Sequence, residues 1–207
     1  MKQTLRMLVV LSGITLLSGT ALGGLNEMTA ERAQNNILKF KKIPAVVDIY
    51  QVAAGEDLSA DERLKIEENL LAEKKLLDLG GEEPVLVFVV KKDDKPYAVA
   101  LEQFGQGFGG ALGVMVGFQL QSGDLVGIGI TTLAETPGLG TRVTEPSFTA
   151  QFAGMGGNAL FRVKKDGGEI DAISGATISS RAVAQAVAQA NAFYKKHQVQ
   201  IRKAVED

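Results

Sequence analysis

The residues best suited to chemistry lie close together in residues 171–181, which read Asp-Ala-Ile-Ser-Gly-Ala-Thr-Ile-Ser-Ser-Arg. We expect a strand to end at Ile170 and a long helix to begin near Thr177. The unpaired backbone N–H groups and the positive dipole end of a helix N-terminus make a natural phosphate site. Around that point the sequence places three hydroxyls and one fixed positive charge: Thr177, Ser179, Ser180 and Arg181. The segment therefore indicates an anion site.

Small residues in the same segment favour the close approach of a ligand. Gly175 and Ala176 have little or no side chain, so a bound group could reach the backbone there. The plain alternative is that Ser174 or Thr177 is only the N-cap of the helix, because both residue types are common at that position. Taken alone, the segment is compatible with either interpretation.

A second segment, residues 135–140, reads Glu-Thr-Pro-Gly-Leu-Gly and follows a predicted strand. Pro137 and Gly138 suit the two central positions of a type II turn. Such a turn would leave backbone N–H groups free to meet the polar edge of a ligand. An ordinary tight turn without a ligand is the alternative.

Composition excludes several classes of function. The chain of 207 residues is long enough for one domain plus an anchor, and its net charge of -2 gives no basic field that would attract nucleic acid. Cysteine is absent, which excludes disulfides, thiolate metal sites, iron–sulfur clusters and a lipid anchor on cysteine. His197 is the sole histidine, so we predict neither a metal site nor a catalytic acid/base pair. Any redox chemistry must come from an organic cofactor.

The N-terminal segment has the features of a membrane anchor. Residues 7–25 carry no charge and follow Lys2 and Arg6. At about 1.5 Å per residue, a helix of this length spans roughly the hydrocarbon core of a bilayer. The positive flank predicts a cytoplasmic N-terminus and a domain on the outer side. A signal peptide cleaved after residues 21–23 is the alternative, although Gly19 and Gly23 make a small-residue face suited to packing on another membrane helix.

Helices are predicted in three further places. Residues 26–40 look helical and should end before Pro44. Ser59 and Glu62 form a capping box for the next helix, and its apolar stripe is predicted from six residues: Leu64, Ile66, Leu70, Leu71, Leu76 and Leu77. A final long helix is predicted over residues 178–198, where apolar residues recur at helical spacing.

Strands are predicted between these helices. Residues 112–120 and 124–132 read as a hairpin with a turn at Ser122 and Gly123. The other predicted strands are residues 85–90, 97–101 and 161–163 together with Ile170, with turns at residues 93–94 and 166–168. Because strands and helices do not alternate, the predicted fold class is α+β: a twisted, mainly antiparallel sheet packed by helices and preceded by one N-terminal transmembrane helix.

The segment around Thr177 resembles the attachment motif of the FMN-binding domain family, in which a flavin transferase links FMN to Thr or Ser through a phosphoester. The family pattern is Asp, two residues, Ser or Thr, Gly, Ala, and then Thr or Ser. This chain matches the pattern at Asp171, Ser174, Gly175, Ala176 and Thr177. The resemblance implies a covalent FMN phosphoester on Thr177, with its phosphate where the residues themselves indicate an anion site.

Residues 135–140 are very similar to a segment of the same family that occurs in the G subunit of the Rnf electron-transport complex. The segment also occurs in the C subunit of the sodium-pumping NADH:quinone reductase. Residues 107–110 and 148–154 resemble further family segments, and the likeness covers residues 84–194. Leu133 departs from the family, which often has histidine at that position.

The resemblance implies further FMN contacts and a division of the chain. The implied contacts are Asp171, Ser174, Gly175, Ala176, Ser179, Ser180, Glu135, Thr136, Gly138 and Leu139. The implied parts are a cytoplasmic tip and transmembrane anchor over residues 1–25, a helical connecting region over residues 26–80, and an FMN-binding domain over residues 81–207.

Among family members, the short chain and single anchor are most like the G subunit of the Rnf complex. That likeness implies an electron-transfer subunit with covalent FMN on the extracytoplasmic side of the plasma membrane, in a complex that couples ferredoxin:NAD electron flow to ion translocation. Its partners would be other membrane subunits and, during maturation, a flavin transferase. The alternatives are a stand-alone extracytoplasmic FMN protein that donates electrons to a separate reductase, the C subunit of the quinone reductase, and a secreted binding module without redox activity.

Overall fold

A computed structural model describes residues 2–54, 58–81, 83–92 and 95–206. The chain forms two compact units, of which the first ends at Phe40 and the second begins at Lys41. The first unit consists mainly of helix α1 (Lys2–Ile37), which has no buried residue. Its apolar part is long and apolar enough to cross a membrane, a test that a signal sequence also passes. The hydroxyls of Thr15, Thr20 and Thr29 donate to carbonyls one turn back, so these polar groups are satisfied within the helix.

The helical pattern does not stop at Pro44, where the sequence predicts an end. A π-helical turn over Leu38–Lys42 is followed by helix α2 (Ile43–Ala54). Pro44 lies inside this continuous helical stretch, two residues after the π-helical turn, and such turns are a usual place for a helix to accommodate an irregularity such as the missing N–H of proline. The prediction of a helix end before Pro44 was therefore wrong, because the chain stays helical through the proline to Ala54.

Helix α2 is part of the second unit and packs on its sheet. Five of its apolar residues are almost completely buried: Ile43, Ala45, Val46, Val47 and Ile49. A side chain at Gly129 would meet the carbonyl oxygen of Ala45 at 2.5 Å, so the glycine lets the helix backbone lie directly on the sheet. The predicted connecting region over residues 26–80 thus includes a helix that belongs to the core of the second unit.

Helix α3 (Ala60–Glu73) begins as predicted but is shorter. The Ser59 hydroxyl accepts from the Glu62 N–H and the Glu62 carboxylate accepts from the Ser59 N–H, which confirms the capping box. Leu76 and Leu77 are not in the helix but in the edge strand β1 (Lys75–Leu77). The helix ends because Lys74 has extended backbone angles.

Among the described residues, the sheet has five strands in the order β1-β2-β3-β4-β5, with every neighbouring pair antiparallel, which confirms the predicted fold class. The remaining strands are β2 (Val85–Lys92), β3 (Lys95–Gln106), β4 (Ala111–Gln119) and β5 (Leu125–Thr132). The predicted hairpin is confirmed, with Gly123 at a positive φ in its turn. The turn predicted at residues 93–94 lies outside the described residues.

The C-terminal helix α5 (Thr177–Glu206), which follows the short helix α4 (Pro146–Thr149), covers the sheet face opposite to α2. Phe118 of β4 stacks on Tyr194 of α5 with ring centroids 4.5 Å apart, whereas a side chain at the neighbouring Gly117 would meet Ile49 of α2. Successive strand residues point to opposite faces, so the sheet lies between the two helices. Before α5, the predicted pairing of residues 161–163 with Ile170 is reduced to one bridge from Val163.

Candidate functional site

The loop before α5 is fixed by hydrogen bonds to the first turn of the helix. Gly175 has φ 81°, and the Ala176 N–H donates to the Ile173 carbonyl at 3.0 Å, which closes a tight turn. The buried Ser180 hydroxyl accepts from the Ile173 N–H and donates to the Ala176 carbonyl, each at 3.0 Å. The loop therefore delivers Thr177 as the first helical residue.

The N-terminus of α5 has the geometry of an anion site. The Ser180 N–H donates to the Ala176 carbonyl and makes the first bond of the helix. The N–H groups of Thr177, Ile178 and Ser179 precede that bond, so they lie at the positive end of a helix of 30 residues. Thr177 itself is half-buried.

The segment after β5 forms the predicted turn. The Leu139 N–H donates to the Thr136 carbonyl at 3.2 Å, and Gly138 has φ 75°, as a type II turn requires. The Gly138 N–H donates to the Thr141 hydroxyl at 2.9 Å. The expectation of free N–H groups in this turn is therefore wrong for Gly138 and Leu139, whose N–H groups are bonded within the segment itself.

A shallow groove of about 350 Å³ joins the two segments, at the lower end of the usual range for ligand pockets. It is lined by Phe108, Glu135, Thr136, Leu139, Gly140, Gly175, Ala176, Thr177, Ile178 and Ser179. The β4–β5 hairpin leads the chain to residue 135 and so brings the turn next to the start of α5. The structure thus places Glu135, Thr136 and Leu139 in one groove with Thr177, as the sequence motifs require if one ligand touches both.

One side of the groove is apolar and open to solvent. Phe108, Leu139 and Ile178 are 72%, 48% and 48% exposed, although large apolar side chains usually avoid water. Sequence reasoning included Leu139 among the site residues but missed Phe108 and Ile178. An aromatic residue between glycines and an isoleucine directly after Thr177 were the available signals.

A model of the FMN-binding domain matches residues 107–192. The G subunit of the ion-translocating oxidoreductase complex of Shewanella amazonensis is 29% identical over 205 residues, which cover 93% of this chain and 88% of that protein. The G subunit of the same complex in Shewanella baltica is 32% identical over 148 residues, 68% of each chain. The chain belongs to the family of these G subunits. The match to the Escherichia coli G subunit is 39% identical and spans about half of each chain, at 52% of this one and 55% of that one.

A solved structure supports the fold. A crystal structure of the C subunit of the Na(+)-translocating NADH-quinone reductase from Parabacteroides distasonis has a TM-score of 0.56. It is 23% identical and covers 70% of this chain and 86% of that chain. At this identity the likeness supports the architecture of sheet and helices.

The groove fits the chemistry of FMN, the cofactor of the family. A phosphate suits the N–H groups at the start of α5, and a flavin ring, which is flat and largely apolar, suits the wall of Phe108, Leu139 and Ile178. Four of the implied contacts do not line the groove: Asp171, Ser174, Gly138 and Ser180. Ser180 is instead fully buried, and its hydroxyl bonds the loop before α5. Ser174 belongs to that loop and is exposed.

Asp171 and Arg181 do not line the groove, and each is held in an ion pair. Asp171 accepts from the Lys164 ammonium at 2.7 Å, and both side chains are more than half exposed. Arg181 donates two hydrogen bonds to Asp166, at 2.7 and 2.8 Å, and these bonds hold the pKa of that carboxyl below its ordinary value. The positive charge predicted for the anion site is therefore paired with Asp166. The N–H groups at the start of α5 remain as the donors suited to an anion.

Proposed function

We propose that this chain is an electron-transfer subunit of an Rnf-type membrane complex and that it carries FMN as a phosphoester on Thr177. The observation that carries the proposal is the position of Thr177. It lies at the positive end of α5 and lines a groove with an apolar wall. An ester at its hydroxyl puts the phosphate on the helix N-terminus and the ring within reach of the groove.

The surroundings of the nearby hydroxyls favour Thr177 as the point of attachment. The hydroxyls of Ser179 and Ser180 belong to residues that are 2% and 0% exposed and are both hydrogen-bonded, so neither is open to a modifying enzyme. Ser174 is exposed but lies outside the groove. Within residues 174–180, Thr177 is therefore the hydroxyl residue that lines the groove without being buried.

The open side of the groove suits a relay of electrons. When bound, FMN supplies the redox chemistry, since its ring accepts and donates electrons. The chain holds the phosphate at the start of α5 and shields one part of the ring with Phe108, Leu139 and Ile178. Because the groove is shallow, the ring stays accessible to a donor and an acceptor. We propose that the relay serves electron flow between ferredoxin and NAD, coupled to ion translocation.

The membrane placement completes the proposal. Helix α1 is retained as a single span with Lys2 and Arg6 on the cytoplasmic side, so the FMN unit lies outside the cytoplasm. Reporter fusions to the C-terminus test this orientation, because alkaline phosphatase should be active there and a cytoplasmic fluorescent reporter dark. Mature protein whose sequence starts at Gly24 would contradict retention of the helix.

Denaturing electrophoresis of membranes tests the flavin bond. When the chain is produced together with a flavin transferase, its band should fluoresce; Thr177→Ala should lose the fluorescence and Thr177→Ser should retain part of it, because serine keeps the hydroxyl. Asp171→Ala should impair attachment while the unit stays folded, since its carboxylate is exposed and pairs with the exposed Lys164. Ser147→Ala, at an exposed hydroxyl residue that does not line the groove, is the control and should stay fluorescent. Co-purification with multispanning subunits distinguishes a complex from a stand-alone FMN protein.

A further inference from the structure

We infer that Glu135 is a positioning residue whose carboxylate holds two walls of the groove together and thereby sets the surroundings of the flavin ring. The inference rests on the proposed FMN at Thr177. Glu135 is 9% exposed although it lines the groove. A carboxylate at this depth is costly unless its oxygen atoms are hydrogen-bonded, so its partners indicate its role.

Both carboxylate oxygens are already occupied by donors from distant segments. One oxygen accepts from the Phe108 N–H at 2.8 Å and the Gly109 N–H at 3.2 Å. The other oxygen accepts from the Ser179 hydroxyl at 2.6 Å. Hydrogen bonds to an ionised acceptor are the strong class. The carboxylate therefore joins the turn before β4 to the first turn of α5 and has little capacity left for a ligand.

The neighbouring glycines fit closely around this carboxylate. A side chain at Gly107 would overlap with the first carboxylate oxygen, and one at Gly140 would lie 2.5 Å from the second. The cavity around Glu135 is thus closed on both sides by residues without a side chain. Because the packing is so close, the carboxylate is confined to one position, and in that position it accepts hydrogen bonds from all three donors.

The position of the flavin wall depends on these bonds. Phe108 is mostly exposed, so burial of its ring does not hold it. Its turn is closed by the bond from the Gly107 N–H to the Gly110 carbonyl, and the Glu135 carboxylate ties that turn to α5. Ser179 belongs to the helical turn that carries Thr177. Loss of the carboxylate separates the Phe108 wall from the point of attachment and opens the ring to water, while the flavin bond itself stays intact.

Quenching of flavin fluorescence by iodide, measured on the full chain in detergent, tests the inference. We expect Glu135→Ala to keep the covalent flavin but to raise the quenching constant towards that of free FMN. Glu135→Gln should stay close to wild type, because its amide oxygen can accept from the Phe108 and Gly109 N–H groups and its NH₂ can donate to the Ser179 hydroxyl. The matched control is Glu145→Ala. The Glu145 carboxylate is about half exposed and forms an ion pair with Arg142.

The possible outcomes separate this inference from the proposed function. A Glu135→Ala protein with bound flavin and wild-type quenching would overturn the inference and leave the FMN site standing. An equal rise in Glu145→Ala would also overturn it. If Glu135→Ala does not fold, Ser179→Ala removes only the α5 partner and carries the same test. Wild-type chain that never acquires flavin would overturn the proposed function, and the inference with it.

Discussion

Substitution of Gly140 by alanine should disrupt the groove from within. The added methyl group would lie 2.5 Å from a Glu135 carboxylate oxygen, 2.7 Å from the Glu135 Cβ and 2.8 Å from the Ser179 hydroxyl. All three atoms belong to buried side chains, so the clash cannot be relieved by a turn into solvent. Overpacking costs about 1–3 kcal/mol, and a lost hydrogen bond to a charged group about 1.5–3 kcal/mol. We expect a loss of about 2–5 kcal/mol in the free energy of unfolding.

Gly138→Ala is the matched control for this loss, since it lies two residues away in the same turn. Gly138 has φ 75° but nothing within 4 Å of an added methyl group. A left-handed backbone costs alanine roughly 1–2 kcal/mol, and the stiffer unfolded chain offsets part of that. Urea unfolding of the flavin-free chains, monitored by tyrosine fluorescence, gives the free energy of unfolding of each variant. The packing argument is refuted if Gly140→Ala destabilises no more than Gly138→Ala.

Two other predictions concern parts of the second unit away from the groove. Ile49→Ala should lower the free energy of unfolding by about 2–5 kcal/mol in the same urea experiment, because Ile49 is fully buried. Val52→Ala, at a residue 46% exposed on the same helix, is the control and should cost far less. Equal effects of the two substitutions would mean that α2 does not pack as described. Asp166→Asn should lose stability at neutral pH and converge with wild type at acid pH. The hydrogen bonds from Arg181 lower the folded-state pKa of Asp166 below 3.8. Their contribution to stability is therefore present above that pH and is lost as pH falls through the folded-state pKa. A difference in stability between the variant and wild type that persists at low pH would contradict this cause.

Local sequence signals predicted the elements whose causes are local. The capping box at Ser59 and the hairpin turn at Gly123 depend on residues a few positions apart, and both are present. The meeting of residues 135–140 with Thr177 was also predictable, because one ligand was expected to touch both motifs. The boundary between the connecting region and the second unit was harder to predict from the sequence. Helix α2 belongs to the core because it packs on the sheet, for example against Gly129, more than seventy residues later in the chain.

The partners of charged residues could not be read from the sequence. Arg181 next to a predicted phosphate site has two suitable partners, a phosphate and the carboxylate of Asp166, and the structure pairs it with Asp166. Glu135 was predicted to contact the ligand, whereas both of its oxygens accept from protein donors. Each of these choices depends on distances between segments 15 to 44 residues apart, and spacing along the chain does not determine such distances.

The most direct test of the central claim is the mass of the tryptic peptide that contains the attachment loop. Cleavage after Lys165 and Arg181 releases residues 166–181, which hold four candidate hydroxyls: Ser174, Thr177, Ser179 and Ser180. In protein produced with a flavin transferase, this peptide should be heavier by one FMN less one water, and fragmentation should assign the added mass to Thr177. Added mass on Ser174 or Ser179, or an unmodified peptide beside an active transferase, would contradict the account.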